Sequence, residues 1–84
     1  MIRRSLTVTI AVTDVPQQLP DVKCAKADLH ADDENTTDIF EGDADEQTRT
    51  MEPGDNRDGV SVSNLKEIWI KGDAGEELIV HYYQ

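Results

Sequence analysis

Apolar and polar residues alternate one for one at the start of this chain. In RSLTVTIAVTD, Leu6, Val8, Ile10 and Val12 fall on one side, and Ser5, Thr7, Thr9, Ala11 and Thr13 on the other. A period of two carried by β-branched residues predicts a half-buried strand. The prolines of VPQQLPD predict an extended corner. In VKCAKADLHA the phase is broken: Val22 and Cys24 share one side, Ala25, Ala27 and Leu29 the other. A strand with a bulge near Ala25 reconciles the two halves, and a short helix is the alternative.

Polar turns then separate short strands. DDENTT is a turn cluster, TDIFEG a strand closed by Gly42, and DADEQ a second turn. TRTMEPG predicts a strand ending in a Pro53-Gly54 turn, with DNRDG extending that loop to Gly59. VSVSNL alternates again and sends Val60, Val62 and Leu65 inward. EIWIKG and EELIVHYY predict a closing hairpin around GDAG, whose two glycines suit a tight turn. Ile68, Ile70, Leu78, Val80 and Tyr82 then face the core. Trp69, Ile79, His81 and Tyr83 form an apolar, aromatic row on the other side. Such a row marks an interface if it is exposed. It is ordinary packing if the hairpin lies between two layers.

No segment carries a sustained helical stripe. About seven short strands with closely spaced turns predict an all-β chain, a compact antiparallel β-sandwich or small jelly-roll-like barrel. Residues 1–84 make a single β domain, with 1–4 as a basic arm carrying Arg3 and Arg4, free to reach an acidic neighbour.

Charge changes the picture. The net charge is −10. Residues 1–27 carry a net +2 and residues 59–84 a net −2, so residues 28–58 account for the whole imbalance, with twelve carboxylates against Arg49 and Arg57. This argues against direct contact with nucleic acid, whose phosphates need a cationic face. It favours a partner with a basic surface. No apolar run approaches the roughly 20 residues a membrane helix needs. Thr7, Thr9 and Thr13 interrupt the only stretch with the flavour of a leader, so the expectation is a soluble protein that is not exported and has no membrane partner.

Candidate chemistry adds little. Cys24 is the only cysteine, which removes disulfides and paired-cysteine zinc sites. His30 and His81 stand at no ligand spacing, and no nucleophile elbow or glycine-rich phosphate loop is present. The oxygen-rich runs HADDENTTD and DNRDG suit calcium by composition but do not follow the EF-hand pattern. The expectation is therefore no catalytic residue, no metal and no cofactor.

The order of turns resembles small structural proteins of tailed-bacteriophage virions. The residues that carry the likeness are the Leu19-Pro20 corner, TTDIFEGD, MEPGD and the ending SNLKEIWIKGDAGEELIVHYY. That ending is similar to the pattern NL-x-x-I-x-I-x-G-x-x-G-x-x-x-V-x-Y. The likeness runs from about Leu6 to Tyr83. It implies a β-sandwich without enzymatic activity, found in the virion after synthesis in the host cytoplasm. Its role there is that of a capsid decoration (cement) protein, head-fibre domain or tail adaptor. It also implies self-assembly, as a homotrimer, and binding to the major capsid protein or another virion protein. Trp69, Ile79, His81, Tyr83, Arg3 and Arg4 become the interface candidates. Two other classes fit the composition: a small acidic inhibitor that mimics nucleic acid, and a calcium-stabilised carbohydrate-binding module using Trp69, Tyr82 and Tyr83.

Overall fold

The computed structural model describes residues 5–84, which form eight strands and one short 3-10 turn. The strands are β1 (Ser5–Ala11), β2 (Gln17–Gln18), β3 (Lys26–Ala31), β4 (Ile39–Gly42), β5 (Gln47–Met51), β6 (Asn56–Val60), β7 (Trp69–Lys71) and β8 (Glu77–Tyr83). One sheet has the order β1-β8-β3-β6 and the other β2-β7-β4-β5, with antiparallel pairing throughout. The fold is the expected β-sandwich, with one strand more than anticipated. Arg3 and Arg4 lie outside the described residues.

Alternation builds the core. Ile10 and Val12 from the first strand and its exit, Ala27, Leu29 and Ala31 from β3, and Leu78 and Val80 from β8 are buried against Ile39, Met51 and Ile70 of the facing sheet. Leu19, Leu65 and Ile68 fill the ends. The broken phase of VKCAKADLHA resolves as a bend at Ala25, after which the strand restarts at Lys26. The backbone N–H of Ala25 donates to the Tyr83 carbonyl at 2.6 Å, so the bend is anchored to β8 and the helical alternative does not form. The Pro53-Gly54 turn forms as expected: Asp55 N–H donates to Glu52 O at 2.9 Å, and Gly54 has φ 86°, which glycine adopts without strain.

The closing hairpin does not form. β7 pairs with β2 and β4 in one sheet, while β8 pairs with β1 and β3 in the other, so the chain crosses between layers at residues 72–76. The crossing is pinned from three sides. Gly72 N–H donates to Thr13 O at 3.0 Å, and Val12 N–H to Glu76 O at 2.9 Å. The buried Glu76 carboxylate accepts the Thr36 N–H at 2.8 Å and the Thr36 hydroxyl at 3.1 Å. A side chain at Gly72 would press on Val12 Cγ1 at 3.0 Å and Asp38 O at 3.2 Å, so glycine is required for this close approach. The inward residues of β7 and β8 meet in one core, but from opposite walls.

DNRDG is also corrected. Asp55 closes the turn, but Asn56 to Gly59 lie in β6, not in a loop, although their composition suits a turn. Arg57 stands opposite Leu29 and reaches inward to Glu41 of β4, an ion pair where an apolar contact would be expected.

Candidate functional site

The predicted row does not exist as one surface. Trp69 lies half-buried on the outer face of the β2-β7-β4-β5 sheet, in register with Gln18 and Gly42. Ile79, His81 and Tyr83 lie on the outer face of the other sheet. Because β7 and β8 belong to different layers, their outward side chains point to opposite sides of the molecule. Val15 is the one large apolar side chain that is exposed among the described residues.

The outer face around β8 is a polar network. His81 sits between Thr7 of β1 and Asp28 of β3, and its Nδ1 is 2.9 Å from Thr7 Oγ1. Tyr83 OH donates to Asp28 Oδ2 at 3.0 Å, and Gly59 N–H donates to Asp28 Oδ1 at 2.7 Å. Lys26 Nζ stands 4.8 Å above the Tyr83 ring centre, at cation–π distance. The Gly59 N–H holds the Asp28 carboxyl below the usual carboxylate range; burial opposes it, and the Tyr83 hydroxyl, Lys26 and His81 reinforce it. The same hydroxyl bond pushes the Tyr83 phenol up. Thr7, His81 and Asp28 share one cross-strand row, and the two Asp28 oxygens accept from Gly59 and Tyr83.

On the opposite face the sequence reading missed Phe40. It sits half-buried between Lys71 and Thr50, diagonal to Trp69 across the β4-β7 pair. A shallow depression of about 370 Å³ lies beside it, lined by Asp14, Asp38, Phe40, Lys71 and Asp73. Alternation in TDIFEG put Phe40 opposite in phase to Ile39, which was the available signal.

Three carboxylates of the acidic middle, Asp32, Asp43 and Asp55, fix turns, as does Glu67 beyond it. Asp43 accepts the Glu46 and Asp45 N–H groups at 2.9 Å each, which lowers its pKa. Asp32 accepts Glu34 N–H at 3.0 Å, and Asp55 accepts Glu52 N–H at 2.8 Å. Glu67 takes the Ser63 hydroxyl and the Ser63 and Asn64 N–H groups, and these bonds, the hydroxyl first, draw its pKa down. Side chains bonded to nearby N–H groups in this way favour turns over regular structure. Among the described residues, no three His, Cys, Asp or Glu side chains converge as a metal ion requires. The Cys24 thiol is half-buried, and burial raises its pKa, which disfavours the reactive thiolate.

A second cleft of about 370 Å³ runs between the β5 and β6 edges, with Glu41, Arg49, Val60, Val62 and Ile68 among its walls. The chain matches no family model, no characterised protein and no solved structure.

Proposed function

We propose that this chain is a non-enzymatic structural component of a tailed-phage virion, a capsid decoration protein that binds the capsid surface as a symmetric oligomer. The observation that carries the reading is the ending SNLKEIWIKGDAGEELIVHYY, whose resemblance rests on residues with structural work to do. Asn64 caps the 3-10 turn, Leu65, Ile68 and Ile70 fill the core, and Gly72 permits the crossing. Three further features support it. The carboxylates with lowered pKa values are committed to fixing loops or to the Tyr83 network. The two sheets present broad outer faces with only shallow depressions, which suits recognition by surface. The acidity of residues 28–58 fits a basic capsid surface, where complementary charge speeds docking.

The Trp69–Phe40 face is the capsid-facing surface in this reading, because aromatic side chains are enriched at the anchors of interfaces. The test is co-sedimentation of the purified protein with capsid shells stripped of accessory proteins. Saturable binding is expected, weakened by added salt and by Trp69→Ala with strand content retained. Absence of binding at low salt to shells from the matching phage contradicts the reading.

A further inference from the structure

Four strands lie at sheet edges, and three are protected. β2 has only two residues and stands between Pro16 and Pro20. β5 carries Arg49 and pairs with β4 through a register shift. β6 carries Arg57 and Asp58, shifts register against β3, and bends through Gly59 at φ 69°. Short length, charge and irregular register are the means by which exposed edges avoid pairing with other chains. β1 has none of them: SLTVTIA is seven residues long, uncharged, free of proline and in continuous register with β8.

The direction of its open backbone groups follows from one contact. Val12 N–H donates to Glu76 O, so the even-numbered residues of this strand face β8. The odd-numbered residues therefore aim their N–H and C=O groups outward. At the exit end this edge is closed by one side chain. Gln17 Nε2 donates to Ala11 O at 2.9 Å, and Thr13 N–H donates to Gln17 Oε1 at 3.2 Å. The Gln17 amide thus does what the peptide group of a neighbouring strand would do. Ser5, Thr7 and Thr9 remain, and among the described residues no strand pairs with them on that side.

We infer that β1 is a self-association edge, which pairs antiparallel with β1 of a second copy about a two-fold axis at Thr7. In this register Thr7 faces Thr7 of the second copy, Ser5 faces Thr9, and Leu6 faces Val8. It uses the open backbone groups and leaves the Gln17 closure at Ala11 intact. The half-buried Leu6 and Val8 extend each core across the junction. Charge selects this occupant. With a net charge of −10, most faces of two copies repel, whereas β1 carries no charged residue. A basic partner would instead be drawn to the acidic loops. The inference deepens the self-association in the function proposed above and specifies a pair, not the three-fold assembly that the resemblance implies. It does not depend on the virion: a dimer that fails to bind capsids overturns only that other proposal.

The test is sedimentation equilibrium of the full chain with two variants. Thr7→Pro removes an outward N–H at an edge position, where proline is tolerated. Thr7→Lys leaves the backbone alone and places like charges directly opposite each other. The chain should sediment at twice its 9.4 kDa mass. Each variant should raise the dissociation constant about tenfold or more, with far-UV circular dichroism unchanged. A monomeric chain at millimolar concentration, a trimer, or a dimer indifferent to Thr7→Lys would each overturn it. If Thr7→Pro unfolds the chain, Thr7→Lys alone decides.

Discussion

Arg57 Nε of β6 lies 3.1 Å from Glu41 Oε1 of β4, a contact that ties one sheet to the other. Arg49 NH1 approaches the second carboxylate oxygen at 3.8 Å. The Arg57 N–H is not aligned on the Glu41 oxygen, and neither atom has another hydrogen-bond partner, so the pair is held by charge alone. The Glu41 side chain is 5% exposed and that of Arg57 33%.

That asymmetry sets the first prediction. Losing the arginine strands a buried carboxylate, whereas losing the glutamate leaves a cation that can turn to water. Arg57→Ala should cost about 2 kcal/mol in urea unfolding, below the full penalty of breaking a buried pair because Arg49 and solvent remain close. Glu41→Gln should cost less than Arg57→Ala. The reverse order would show that the arginine is the buried partner.

Asn64 is a single side chain joining two segments. Its Oδ1 accepts Val22 N–H and Lys66 N–H at 3.0 Å each, and its Nδ2 donates to Asp21 Oδ1 at 2.8 Å. Glu67 returns a bond to the Asn64 N–H, completing a reciprocal cap. Asn64→Ala removes a cap and orphans the Val22 N–H, for a loss of about 2–3 kcal/mol. Thermal denaturation should register it as a fall of about 10–20 °C in Tm.

Gly42 is required for space, not for a left-handed backbone. A Cβ there would collide with the Glu46 carbonyl oxygen and come within 3.0 Å of Gln47 Cα, both in backbone that the β4-β5 turn cannot move freely. Gly42→Ala should destabilise by about 3 kcal/mol, at the upper end of ordinary overpacking. Chemical denaturation checks it, with Gly75→Ala as a contrast, since no atom lies within 4 Å of a side chain built there and only its φ of 98° resists.

The acid limb of stability follows from Asp28, Asp43 and Glu67, all with lowered pKa values. A carboxylate held low in the folded state contributes stability above its unfolded value, near 4, and loses it as pH falls through the lower folded value. Unfolding free energy should therefore drop below about pH 4, and Glu67→Gln should make that limb shallower. Tyr83 acts in the opposite direction. Its raised pKa contributes stability below about pH 10 that is lost as pH climbs through the folded value. Tyr83→Phe should remove that alkaline loss in a pH series of urea melts.

Much of the fold was legible because alternation is a local signal. Leu6 to Val12 read as a strand, the phase break at Ala25 read as an irregularity, and Pro53-Gly54 read as a turn. Pairing was not legible, because glycines at 72 and 75 serve a hairpin and a crossing between layers equally well. What decides between them is the hold of Thr13 and Thr36 on Gly72 and Glu76, contacts distant in sequence. β6 was hidden because Asn56, Arg57, Asp58 and Gly59 have turn composition and its inward residue is a charge. The interface candidates suffered most, since one mistaken pairing merged two opposite faces into a single row. The closure of β1 by Gln17 left no mark beyond a glutamine after a proline.

The most direct measurement is the protein profile of purified tailed-phage particles from the host that makes this chain. The account predicts a band at 9.4 kDa that stays with intact particles through a density gradient, in a copy number comparable to that of the major capsid protein. A chain found only in the soluble fraction of the infected cell, with particles of full stability lacking it, would contradict the account.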